Sequence, residues 1–190
     1  MVKELPPFQS FAGQFIVATQ NEMGQFFNKA VVLITKHTQD EGAEGYILNK
    51  PLTQLTPKEI FKERDISHLG KDFHLMRGGP VDLDRGAILH TNDYHALDTH
   101  PLDNHLALTE TQQILDDISD QLGPSHFLAL IGKAAWAPGQ LEEEMMGNMW
   151  ILAPYSFDIV FNTADEKKWQ ETLATLKIDT NLLTSNAGKA

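Results

Sequence analysis

His126 to Trp150, HFLALIGKAAWAPGQLEEEMMGNMW, is the stretch that decides how the rest of the chain is arranged. Phe127-Leu-Ala-Leu-Ile131 is an apolar run too short to be a helix of its own. Entered by Gly123-Pro124 and closed by Gly132, it predicts a strand buried on both faces. Ala134-Ala135-Trp136 is expected to turn the chain, and Pro138 suits the first position of a helix, where its missing N–H is no loss. Gln140 to Met146 carries strong helix formers, and Gly147-Asn148 ends them before Trp150. Two tryptophans thus bracket one strand–turn–helix unit, and both are expected in the interior.

Working outward, Ala30-Val-Val-Leu-Ile34 is rich in β-branched residues and reads as a central strand. His37 to Glu44 is a polar turn region, followed by Gly45-Tyr-Ile-Leu-Asn49, so an antiparallel hairpin is predicted, stopped by Pro51. Phe11 to Ala18 is apolar enough for either a strand or a short helix. Phe73-His-Leu-Met-Arg77 and Gly86-Ala-Ile-Leu-His90 read as further strands, and Phe157 to Phe161 alternates like a half-buried one. Three capping boxes, Thr56 to Glu59, Thr109 to Gln112 and Thr163 to Glu166, each announce a helix. The second helix would bury Ile114, Leu115, Ile118 and Leu122, and the last Trp169, Leu173 and Leu176. Hairpins mixed with helical connections give an α+β fold: a single domain over 11–178, a mixed sheet with helices packed around it, an N-terminal arm over 1–10 and a polar tail over 179–190.

The chain has 190 residues, 42% of them apolar and 22% charged, the balance of an ordinary soluble domain. A chain this long can bury roughly 70% of its unfolded surface, so neither disulfide nor structural metal is required for stability. Without cysteine there is no thiolate nucleophile and no cysteine-ligated cluster. No signal-peptide core and no run near ~18 apolar residues occurs, so a cytoplasmic location is expected, with no membrane partner. The net charge of −11 repels phosphate backbones and disfavours direct nucleic-acid binding.

The motifs of familiar chemistry fail one by one. Gly132-Lys133 lacks the preceding Gly and following Ser/Thr of a phosphate loop, and neither G-x-G-x-x-G nor G-x-S-x-G occurs. Glu142, Glu143 and Glu144 point to different faces of one helix, which suits the helix N-terminus better than paired acid–base work. His90, His95, His100 and His105 recur every five residues with Asp93, Asp98 and Asp103 at the same interval. That step changes face on helix and strand alike, so polar loop residues are expected rather than a metal site, and no cofactor is implied. A small-anion site remains as a sharper reading. Asn49 and Lys50, Arg77-Gly78-Gly79 and Arg85 stand at strand-end turns, where glycine N–H groups and cations together suit an anion. In the alternative, the cations pair with Asp82, Asp84 or Glu44 and the turns are structural.

These same segments carry a resemblance. Glu44-Gly-Tyr-Ile-Leu-Asn-Lys-Pro51, Gly78-Gly-Pro80, Arg85-Gly-Ala-Ile-Leu-His90 and the run from Gly132 through Trp136, Gly139, Gln140, Leu141 and Glu142 to Trp150 resemble the YqgE/AlgH family of small bacterial proteins. The similarity extends from about Phe11 to Trp169. Gly132-Lys-Ala-Ala-Trp136 departs from the family's Gly-Tyr-Ala-Gly/Ser-Trp, so the packing at Lys133 is expected to differ. The resemblance implies a strongly bent sheet flanked by helices, a cytosolic bacterial protein, and a role as a transcriptional regulator by family name only. Three functions follow as expectations: a non-enzymatic regulatory or interaction protein acting through a protein partner, a small-anion or metabolite binding module, or a hydrolase-like enzyme with His37 or His90 as base.

The purified chain is expected to bind duplex DNA no tighter than about 10⁻⁴ M at physiological salt. A gel shift checks this, and a salt-resistant, sequence-selective complex would refute it.

Overall fold

In a computed structural model of the protein, residues 8–19, 24–54, 56, 58–59 and 75–178 are described. Among them the strands are β1 (Phe15–Ala18), β2 (Val31–Thr38), β3 (Gly42–Ile47), β4 (Leu75–Arg77), β5 (Val81–Thr91), β6 (His100–Pro101), β7 (Leu106–Thr109), β8 (Phe127–Trp136) and β9 (Trp150–Ala153). They form one sheet in the order β6-β7-β5-β8-β3-β2-β1-β9, with β4 also on β8. Every pairing is antiparallel except β4 with β8, so the sheet is mixed. The helices are α1 (Gly24–Phe27), α2 (Gln113–Ser119), α3 (Gln140–Met146) and α4 (Asp165–Thr175), with a π-helical turn at Asp158–Asn162. None of the described helices is long and apolar enough to cross a membrane.

Alternation along β1, β2 and β3 sends Phe15, Val17, Val31, Leu33, Tyr46 and Leu48 to one face and Ile16, Val32, Ile34 and Ile47 to the other. The first face also takes in Leu89, Leu106, Leu128 and Leu130 from the other half of the sheet, which curls around this shared cluster. Trp169 and Leu173 of α4 close it. The opposite face of β1–β3 is covered by Trp136, Leu141 and Trp150, and the outer face of β5 and β8 by Ile114 and Ile118 of α2.

β8 is the spine, but it is twice as long as the apolar run that announced it. Gly132 does not end the strand: it adopts φ +70° and lets it continue. Ala134, Ala135 and Trp136 do not turn the chain either, because Gly45, Glu44 and Ala43 of β3 offer them an edge to pair with. The turn comes at Ala137–Gly139, and Pro138 precedes α3 rather than opening it, with Gly139 as N-cap at φ +80°. Of Phe11 to Ala18, Phe15–Ala18 form a strand after a turn, and the β2–β3 hairpin is present with a turn narrower than expected.

Other corrections have local causes. Phe157 to Phe161 is helical, not extended: Asp158–Asn162 form a π-helical turn that buries Ile159 and Val160 against the shared cluster. Thr109 caps nothing, since it ends β7 and its hydroxyl faces His90. α2 starts only at Gln113, and Leu122 is exposed. Thr163 donates to the Asp158 carbonyl instead of capping α4, whose N-cap is Ala164. At the first box Thr56 N–H does donate to Glu59, 2.7 Å, but the rest of that helix lies outside the described residues, as do the tail and most of the arm.

β4 and β5 flank the same residues of β8 on opposite edges, so the three residues between them, Gly78, Gly79 and Pro80, must pass across its face. They do so over Gly132. A Cβ on Gly79 would lie 2.1 Å from the Lys133 carbonyl carbon, and one on Gly78 2.2 Å from the Gly132 oxygen. Gly79→Ala is expected to cost about 3 kcal/mol or more, because backbone must move to admit it. Gly13→Ala, at φ +79° in open space, should cost only about 1–2 kcal/mol. Urea unfolding of the two variants checks this; equal losses would refute the close crossing.

Candidate functional site

Three of the predicted anion-site residues meet where β2, β3 and β4 end or begin. The Lys50 carbonyl accepts from Arg77 N–H, 2.8 Å, which makes the two residues backbone neighbours. Asn49 is buried and braces the junction: its Oδ1 accepts from Val31 N–H, 2.9 Å, and its Nδ2 donates to the Lys29 carbonyl, 2.8 Å. That second bond brings in Lys29, a cation the sequence reading missed. The signal was present, since Lys29 directly precedes the Ala30 strand as Lys50 directly follows its hairpin partner.

The three cations have no carboxylate partner among the described residues. Lys29 Nζ lies over the Trp169 ring at 5.4 Å, and the Arg77 guanidinium over Phe26 at 5.6 Å while donating to Gln54 Oε1, 3.1 Å. The Lys50 ammonium donates to the Asn28 carbonyl. Burial pushes the Lys50 pKa down, and the nearby Lys29 charge adds to the effect.

Gly78 and Gly79 belong to the crossing. The Gly78 N–H is not offered to a ligand, because it donates to the Ile131 carbonyl, 2.8 Å, while the Gly78 carbonyl accepts from Ile47 N–H, 2.7 Å. Arg85 is not brought to the other cations: β5 carries it along the far edge of β8. Nor do the cations pair as the structural alternative had it. It is Lys133 that meets Glu44, 3.0 Å, and Asp82, 3.4 Å, which accounts for a lysine in a partly buried strand position.

Arg85 instead lines a cleft of about 500 Å³ on the outer face of β5 and β8, beside α2. Leu75, Ile88, Ala129 and Ile131 make its floor and Asp84, Glu110 and Glu59 share its rim with Arg85.

Both candidate bases are committed. His37 is buried, with Phe11 N–H donating to Nδ1, 3.0 Å, so Nε2 carries the proton toward Glu142 Oε1, 3.1 Å. His90 is fully buried. Its Nδ1 donates to the Thr91 carbonyl, 2.8 Å, and Nε2 accepts from Thr109 Oγ1, 2.9 Å, which in turn meets Thr99 Oγ1 at 2.8 Å. The other three histidines of the series are exposed, and its aspartates brace turns: Asp98 accepts from Thr111 and Asp103 from His105 and Leu106. Among the described residues no three His, Asp or Glu side chains gather as metal ligands.

The Trp136–Trp150 motif is an anchor. Glu144 Oε2 accepts from Trp136 Nε1, 2.8 Å, and Trp150 Nε1, 2.7 Å, and its Oε1 from Gln140 Nε2, 2.8 Å. Leu141 is buried beneath them, and Glu142 serves His37.

Comparison with known proteins agrees with this architecture. The family model described as DUF179, AlgH-like, matches residues 15–181, and the chain belongs to that family. A UPF0301 protein of Gluconobacter oxydans is 35% identical over 181 residues, 94% of this chain and 97% of the relative. One of Thioalkalivibrio sulfidiphilus is 32% identical, covering 95% and 97%. The solution structure of the AlgH protein from Pseudomonas aeruginosa superposes with a TM-score of 0.74 at 28% identity, covering 98% of this chain and all of that one. The crystal structure of protein DIP2367 from Corynebacterium diphtheriae, at 17% identity and a TM-score of 0.68, shares the fold.

Burial pushes the His90 pKa below its ordinary value, against the opposing pull of the Thr91 carbonyl and Asp93. With the folded pKa below the unfolded one, stability is full above about pH 6.5 and falls as pH drops from there to the folded value. The melting temperature of His90→Gln should therefore depend less on pH across that window than that of the parent chain. Parallel curves would refute the assignment.

Proposed function

We propose that this protein acts by binding, without turnover, and that its protein partner presents an anionic group to Lys29, Lys50 and Arg77. The observation that carries the reading is the placing of Lys29, Lys50 and Arg77 at adjoining strand ends, none with a carboxylate partner among the described residues, in a chain whose net charge is −11. Like charges held together raise one another's cost, most of all at the half-buried Lys50, and an incoming anion would relieve it. An acidic protein repels a polyanion at long range, so one anionic group on an otherwise uncharged segment fits better than nucleic acid. A regulatory role would then be exercised through that partner. The burial of His37, and of His90 together with its Thr109 partner, keeps both bases away from a substrate and supports binding over hydrolysis.

Pyrophosphate serves as the minimal probe. Lys50→Gln and Arg77→Gln, which keep much of the stem packing, should each weaken its binding by about tenfold, the worth of a charged hydrogen bond. Their melting temperatures should stay close to that of the parent chain. Unchanged titrations, or variants that chiefly destabilise the fold, would refute the reading.

A further inference from the structure

The cleft beside α2 takes no part in that reading, and Arg85 lies across β8 from Lys50 and Arg77. We propose that it binds a small zwitterion with an apolar body, of amino-acid or dipeptide size. At about 500 Å³ the cleft falls within the range of small-ligand sites. Its floor of Leu75, Ile88, Ala129 and Ile131 belongs to or packs on the apolar cluster under α2, so it offers hydrocarbon contact and no hydrogen bonds from side chains. A wholly apolar ligand would satisfy the floor and leave the rim charges unanswered.

The rim carries both signs. Arg85 makes no ion pair among the described residues, whereas Lys133, in the adjoining recess, is already neutralised by Glu44 and Asp82. Asp84 is likewise without an ion pair among the described residues. Glu110 accepts a hydrogen bond from Tyr46, 3.3 Å, whose hydroxyl burial keeps protonated and therefore a donor. Glu59 is held by Thr56 through its N–H, 2.7 Å, and its hydroxyl, 2.9 Å. A simple carboxylate would meet Arg85 but also the field of Asp84, Glu110 and Glu59, and a simple amine would meet those carboxylates but leave Arg85 opposing it. A ligand with an ammonium and a carboxylate on one short skeleton answers both, with its apolar side chain on the floor.

Calorimetric titration with leucine and leucyl-leucine, against 4-methylpentanoate and 3-methylbutylamine, tests this. At least one zwitterion should bind, and each single-charge analogue should bind about tenfold more weakly or worse, one charged hydrogen bond having been lost. Arg85→Gln should weaken the zwitterion and the carboxylate but not the amine, and Asp84→Asn the zwitterion and the amine but not the carboxylate. Both residues are exposed, so a melting temperature near that of the parent chain checks that the variants fold. Absence of binding by both zwitterions at millimolar concentration would overturn the proposal. So would single-charge analogues that bind as well, or an affinity indifferent to Arg85. Pyrophosphate binding should be the same in Arg85→Gln as in the parent chain, so failure here is distinguishable from failure at Lys50 and Arg77.

Discussion

The fold depends on one close approach of backbone to backbone, where Gly78 and Gly79 pass over Gly132. Consecutive strands normally pair with each other or cross by way of a helix; β4 and β5 instead take opposite edges of β8 with three residues between them. So short a connection leaves no room for side chains at the crossing. The hypothetical Cβ of Gly132 itself would come within 2.9 Å of the Gly79 and Val81 oxygens. The left-handed backbone at Gly132 re-aims β8 at that point, so its first half serves β4 and β5 and its second half serves β3. The curl of the sheet around one shared core follows from a spine that changes partners midway.

Packing around that spine is held in place by a few polar groups in or at the edge of the core. Glu144 collects both indole N–H groups of the paired tryptophans, whose rings meet edge to face at 5.9 Å. His37 ties Phe11 to α3 through Glu142, and the fully engaged Lys168 pins α4 to the Leu48 carbonyl, 3.0 Å, with Asp165 neutralising it, 3.0 Å. Each is costly to leave unmet, so each selects one placement of its helix. The apolar clusters alone would tolerate several.

The elements carried by strong local pattern were legible from sequence: the β2–β3 hairpin, the β8 run, α3 and α4, and with them the α+β class. The misreadings share a cause. Gly132, Thr109 and Thr163 each have a local meaning, as strand stop or helix cap, that another partner overrides: the crossing chain, His90 and the Asp158 carbonyl of the preceding π-helical turn. Periodicity cannot register such partners. Likewise Asn49, Lys50 and Arg77 could be grouped because each ends a strand; Lys29, which precedes one, is joined to them by the Asn49 side chain.

The grouping of Arg85 with those cations failed for a topological reason, and the same reason organises the charge of the whole molecule. Arg77 and Arg85 are eight positions apart in sequence, and the crossing between them sends one to each edge of β8. A hairpin in place of the crossing would have put both on one edge. As built, Lys133 sits between them and is spent on Glu44 and Asp82, so the cations on the two sides are not bridged by a free charge. An acidic chain thereby keeps its strand-end cations, on Phe26 and Trp169, apart from Arg85, which stands among carboxylates over an apolar cleft. The short glycine crossing that shapes the sheet thus also holds Arg77 and Arg85 on opposite edges of one strand.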